Sequence, residues 1–503
     1  MKKVILCASA LLFTGAMMAQ NPSTMLDNKD GSAISPTIAT PLSQAPSSAN
    51  AGESYQNGND NKVWVRQAGT KQSVYTEQDN GLGTGNNAAR IWQTGAVQAT
   101  SGVKNAAMVK QLGTNNQSTT QQEGDKNHAV TQQGLKEGTL GVSENNRAKI
   151  RQGTGQQAEK NYASIEQDGA NNKALTLQTY DNSEARTVQE GDNNKANINQ
   201  NAGPNNSSGH SALVEQYGDF NESHVTQSGA GASNRSASTQ TGNGNESHQT
   251  QVNTASGGGA NANEAFINQG TVGNDGAIAQ DATALYGDVS ALDAVVGVGT
   301  FNGPGSYNAL AIQNQNGESN QSSIFQFGAD APTDGNYAEQ DVDGDNNDAL
   351  IVQNNWGTSA GGNNYAKQRQ DGDKNEAGLV QLGNDNKARQ EQHGDKNYAM
   401  ATQRGTANLL NTWQMGDKNA VTSAQRGHDN QILIVQRDGQ SYVAEQNLND
   451  AWSNGNNVID VLQLGPNGNF ATDGIDCGFE TELDPSCPVP VPTFNIDAPC
   501  DGC

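Results

Sequence analysis

Asn364-Tyr-Ala-Lys-Gln-Arg-Gln370-Asp-Gly372-Asp-Lys is followed at once by Asn375-Glu-Ala-Gly-Leu-Val-Gln381-Leu-Gly383-Asn-Asp. The same beat then continues: Asn386, Asn397, Asn408, Asn419 and Asn430 follow at intervals of 11 residues. A Gln stands six positions after each Asn, at Gln370, Gln381, Gln392, Gln403, Gln414, Gln425 and Gln436. Glycine follows two beyond the Gln at Gly372, Gly383, Gly394, Gly405, Gly416 and Gly427, and slips by one at Gly439. A fixed period this short marks a stacked repeat architecture.

Asn, the Ala two positions on (Ala366, Ala377, Ala388, Ala399) and Gln sit at even offsets within the unit. Even offsets share one face of a β-strand and scatter around a helix. The four remaining residues, such as Leu382-Gly383-Asn384-Asp385, have turn chemistry. Each beat therefore reads as a seven-residue strand, roughly 23 Å long, plus a tight turn. Two beats make one rung, and rungs stack at about 4.8 Å, giving an all-β, two-sheet β-solenoid with cross-β spacing. The inward Asn and Gln amides can then donate and accept along the stack. An unpaired buried amide costs about 1–3 kcal/mol, so this polar interior requires the strict register that the beat supplies. At two-beat spacing Gln368 falls over Gln390, a third inward column, and Arg369 falls beside Glu391 on the outside. Disorder, the other reading of an Asn/Gln-rich tract, needs no fixed phase.

The unit N-x-A-x-x-x-Q-x-G-x-x resembles the curlin repeat of curli-type amyloid fibre subunits. That resemblance implies a secreted chain that polymerises with itself, other curli-type subunits as partners, and an outer-membrane export channel. It also implies that charged and Gly turn residues moderate premature edge pairing.

The chain has 503 residues, a net charge of −24, 33% hydrophobic and 5% aromatic residues. This is too polar for several ordinary globular cores, and a ladder solenoid reconciles the two because backbone pairing replaces a large apolar core. The acidic balance, with no basic patch evident along the chain, argues against nucleic acid as a partner. Residues 1–19 read as a secretory signal: Lys2-Lys3, then an apolar stretch from Val4 to about Phe13, with cleavage expected after Ala19. Cys7 falls within it. No later apolar run reaches membrane-spanning length. Residues 20–60 are rich in Ser, Pro, Ala and Thr and read as a flexible arm. By position, the resemblance assigns this arm to export. The expected location is extracellular, in a cell-surface fibre.

The repeat region is expected over 61–470, from Asn61…Gln67 to Asn457…Gln463, with Gln72, Ser183, His210 and Gln440 standing in for Asn in single beats. The Asn-to-Gln offset holds where the distance between beats grows, so insertions fall in turns. Between Asn61 and Gly465 the prolines are Pro204, Pro304 and Pro332, each where the spacing is broken, as expected if Pro is excluded from central strands. The largest break, Thr283–Asn314 with its Ala/Val-rich run Ala291–Val298, reads as a protruding loop or an irregular rung.

Residues 471–503 form a small Cys/Pro-rich module with Cys477, Cys487, Cys500 and Cys503. In an exported chain these suggest two disulfides, with three connectivities open. Cys500 and Cys503 are spaced C-x-x-C, the zinc alternative, but Cys477 and Cys487 are not a knuckle pair. No resident metal or other cofactor is expected. Gly357-Thr-Ser359-Ala-Gly361 matches the hydrolase pattern G-x-S-x-G but lies in a widened turn with no helix after it. Asp341-Val-Asp343-Gly-Asp345-Asn-Asn347 spaces oxygen ligands as calcium loops do, yet Val352 stands where an EF-hand places its bidentate Glu. No catalytic residue is assigned. The expectation is a structural fibre subunit acting in adhesion and biofilm. The alternatives are a nucleating or capping subunit, or a monomeric solenoid binding glycan, ice or a host surface.

Overall fold

The computed structural model describes residues 50–465 except 81–84, 95–103, 135–142, 154–157, 204–208, 230–232, 254–261, 271–305, 328–334, 355–361 and 448–454. Among the described residues there are 32 strands and no helix. Successive beats alternate between two 16-stranded, wholly parallel sheets. One opens with Ala51–Asn57 and the other with Lys62–Gln67; they are called here the first and second sheet. Each rung thus takes one strand from each, and the chain is the two-sheet β-solenoid that the period requires.

Register is kept by identity of position. Tyr365–Asp371 pairs with Lys387–His393, placing Ala366 beside Ala388, Gln368 beside Gln390, Arg369 beside Glu391 and Gln370 beside Gln392. Where insertions intervene the register survives: Glu264–Gln269 pairs with Gln321–Phe327, and Gln269 still meets Gln326. The rings of Tyr337 and Tyr365, on successive rungs, stack with centroids 4.8 Å apart and 3° between their planes. That distance is the strand spacing of a parallel sheet.

The space between the sheets is narrow and mixed. Ala fills the position two after Asn (Ala163, Ala174, Ala185, Ala196), and the next inward position alternates among Ile, Val, Leu, Thr and Gln. Ile150, Ile165, Ile198, Ile267, Ile324 and Ile351 are almost fully buried in these columns, each contributing about 1.5–3 kcal/mol on burial. The turns follow one plan. Gly two after Gln takes a left-handed φ, as at Gly383 (φ 112) and Gly405 (φ 123), and so does the residue before Asn, as at Lys374, Lys396 and Lys418.

Three expectations need correction. The first strand, Ala51–Asn57, lies inside the stretch read as a flexible arm, since Asn50, Gln56 and Gly58 already keep the beat. The end of the supposed break is a regular rung strand, Leu310–Asn316, preceded by the short strand Ser306–Tyr307, with Ala309 in the Asn position. Tyr337–Asp343 is also a rung strand, with Val342 in the Gln position. A feature not anticipated is a buried apolar stripe on the outward side of the first sheet, including Phe266, Phe325, Leu350, Val380 and Met400. Segments 1–19 and 20–49, the beat Asn274…Gln280, Pro204, Pro304, Pro332, the motif Gly357–Gly361, Ala291–Val298 and the four tail cysteines all lie outside the described residues.

Candidate functional site

Every amide of the regular run, from Asn364 and Gln370 to Asn430 and Gln436, is at most 1 % exposed. Adjacent beats belong to opposite sheets, so these residues build separate ladders in each. In the first sheet the Gln ladder runs without a break from Gln56 to Gln446, with Nε2 of each Gln donating to Oε1 of the next at 2.7–3.1 Å. From Gln78 onward the second N–H of each amide crosses the interior. Gln381 Nε2 donates to Gln403 Oε1 at 2.8 Å and to the Tyr365 carbonyl at 3.0 Å, tying the two sheets together. Gln403 repeats this with Gln425 and the Lys387 carbonyl.

Asn has a different task. Asn386 Oδ1 accepts the backbone N–H of Asn408 at 3.2 Å, while its Nδ2 donates to the Gly405 carbonyl at 2.9 Å. The Asn side chain therefore locks the start of a strand to the turn that faces it, which explains why Gly sits where it does. Two stand-ins preserve the acceptor: Ser183 Oγ accepts the His210 N–H at 3.3 Å, and His210 Nδ1 accepts the Asn234 N–H at 3.2 Å, burial pushing the imidazole pKa down to about 4 and keeping it neutral for that role.

The second-sheet ladder breaks once. From Gln67 to Gln315 and again from Gln370 to Gln463 it is continuous. Between them stands Val342, and Gln370 Oε1 is buried without a partner. An inner Gln column bridges the gap: Gln249, Gln313, Gln340, Gln368 and Gln390 bond in series at 2.8–3.1 Å. The predicted pair Gln368 and Gln390 is part of it.

The charged turns also do more than face solvent. Asp373 N–H donates to Asp395 Oδ1 at 3.0 Å and Asp395 N–H to Asp417 Oδ1 at 2.9 Å, a carboxylate column stitching turn to turn. Asp345 belongs to the same column, bonded from the Glu318 and to the Asp373 turns. Asp341 and Asp343 lie on a strand, so this stretch is a rung and its stacked turn rather than an ion-wrapping loop. Among the described residues no group of three or more His, Cys, Asp or Glu is arranged to hold a metal.

The ladders have direction, and this gives the two ends opposite character. Among the described residues the Gln ladders point Nε2 toward the higher rung, leaving Gln56 and Gln67 Oε1 as acceptors at the low end and Gln446 and Gln463 Nε2 as donors at the high end. The backbone edges stay open as well, with alternate N–H and C=O groups facing outward at each end. Ala51 N–H bonds inward to the Gln72 carbonyl, so by alternation the N–H groups of Gly52, Ser54 and Gln56 face the open edge. The interior is partly uncovered there too: Val65 is exposed on the first rung, Val63 beside it is half-buried, and Tyr442, Ile459 and Val461 are half-buried on the last. The low end and the high end are therefore complementary surfaces of equal pitch. No family model matches this chain, and no curated protein matches it at a significant level.

Proposed function

We propose that the protein is the subunit of a curli-like structural fibre, growing by head-to-tail addition of one solenoid to the end of another. What carries this reading is the complementarity of the ends. The last rung offers Gln donors and an open apolar column to a first rung that offers Gln acceptors and an open apolar column. An exposed edge of unpaired strand groups invites pairing with another chain, and a matching copy extends every ladder without a new kind of contact. The contact is heterologous and does not close, so it yields a filament rather than a dimer. Residence outside the cell, in a matrix serving adhesion and biofilm, follows from the signal-like leader and the curlin-like unit. The outer-membrane channel and companion subunits belong to the same proposal.

The test uses one edge. Ser54→Pro removes an N–H that faces the open edge and leaves the internal ladder untouched. By electron microscopy and thioflavin fluorescence, the mature chain should form fibres, and the variant should fold but fail to be extended at its low end. Equal growth of both proteins would refute the head-to-tail junction.

A further inference from the structure

In the first sheet, the inward column two positions after Asn takes its two extreme sizes at its two ends. Its internal rungs hold Ala, Ser or Val: Val74 lies beside Ala107, Ala212 beside Ser236, and Ala399 beside Val421. The last rung carries Tyr442, beside Val421, and the first carries Gly52, beside Val74. Tyr442 is half-buried and packs against the buried interior columns. An interior packed to full density around Ala has no room for a phenol between two rungs. A terminal rung has that room, because one of its neighbours is missing. Gly52 has no comparable reason within its own chain. Its φ is not left-handed, and among the described residues a Cβ there would meet only the Val74 carbonyl oxygen, at 3.9 Å, an ordinary contact. Glycine weakens a strand, and in a strand it marks a place where something approaches the backbone closely. The next inward position follows suit: Ile267, Ile324 and Ile351 fill it in mid-solenoid, but Ser54 holds it on the first rung and Ala444 on the last.

We infer that Tyr442 is a knob that seats over Gly52 of a second copy, and that this pair selects which chain continues the solenoid. The inference rests on the head-to-tail reading above. With Gln446 of one copy stacked on Gln56 of the next, Tyr442 and Gly52 fall in the same register position, and Ala444 over Ser54 leaves space for the ring. In the second sheet, Gln463 on Gln67 brings Ile459 over Val63 and sets Asp460 opposite Trp64, between Lys62 and Arg66. Charge thus agrees with shape across the junction. Among the described residues, every exposed large hydrophobic except Phe220 lies on one of these two rungs, where an added copy covers it. A subunit with Ala in place of Gly52, the commonest residue of the column, would press its Cβ onto the phenol, so the junction rejects it.

The test is seeded growth of the mature chain, followed by thioflavin fluorescence and electron microscopy, with parent fibres offered parent or variant monomer. Gly52→Val should keep the parent's strand content by circular dichroism, since the chain itself leaves room for the side chain. It should raise the critical concentration for growth roughly tenfold. The double variant Gly52→Val/Tyr442→Ala should regain growth, because Val against Ala is already the pairing at Val74–Ala107 and Ala399–Val421. Its recovery also shows that the single variant fails at the junction and not in folding. A parent chain that forms no fibres would overturn this inference together with the head-to-tail reading. Parent fibres extended equally well by Gly52→Val, or a double variant that grows no better than Gly52→Val, would overturn the knob and its seat alone, leaving Tyr442 to another occupant.

Discussion

At the residue scale the interior is held by amides that bond both along the stack and across to the opposite sheet, with Asn336 Nδ2 and Asn375 Nδ2 as exceptions. Gln381 serves both the next rung and the opposite sheet, so replacing it leaves Gln353 without its acceptor and strands a buried donor. Val342 is the natural counter-experiment, since it interrupts the second-sheet ladder and leaves Gln370 Oε1 unpartnered. Val342→Gln should stabilise the solenoid by about 1–2 kcal/mol, the cost of an unsatisfied buried acceptor, seen as a higher denaturation midpoint. A lower midpoint would show that the site lacks room for the amide. The Asn and Gln columns were legible in the sequence because they recur in phase. Val342 was not, because a rung that loses its Gln also loses the mark by which the beat is counted. The polarity of the ladders was equally hidden: amide direction is set by three-dimensional neighbours, not by spacing.

At the scale of strand and turn, glycine and the left-handed residue before Asn let the chain reverse within four residues. A Cβ on Gly405, at φ 123, would press into the Gly427 carbonyl one rung away. Gly405→Ala should therefore cost about 1–3 kcal/mol, through backbone strain and displacement of the stack, measured by chemical denaturation. In sequence the Gly-Asp-Lys turns show only turn chemistry, and the hydrogen bonds from turn to turn show their Asp column to be structural. Outward strand positions add a pH dependence. Asp348 and Glu376 are register neighbours on the first sheet, and burial raises their carboxyls to about 6 and about 7. Their protonated forms are favoured in the fold, so stability should fall as pH rises from about 4 toward 7, and the Asp348→Asn/Glu376→Gln variant should flatten that slope. Glu222, held down to about 2 first by the His224 hydrogen bond and further by Lys195, acts in the opposite sense and only below about pH 4.5. Thermal melts across about pH 2–8 check both signs. A double variant with the parent's slope would contradict the assignment.

For the whole molecule, the period alone was enough to specify two parallel sheets and their register, including the pairing of Gln368 with Gln390. What it could not specify is how the faces differ. The buried apolar stripe of the first sheet is assembled from strands 22 or more residues apart, with unlike neighbours between them. The first rung was missed for a simpler reason: the Ser/Pro-rich segment before it masks the beat at Asn50, Gln56 and Gly58.

The central claim is that one copy continues the ladders of another. Cryo-electron microscopy of fibres grown from the mature chain tests it most directly. The account predicts a single rise of about 4.8 Å per rung running unbroken through the junction, with Gln446 of one copy stacked on Gln56 of the next and both sheets parallel throughout. A chain that remains a folded monomer, or fibres joined side to side with both end rungs left open, would contradict it.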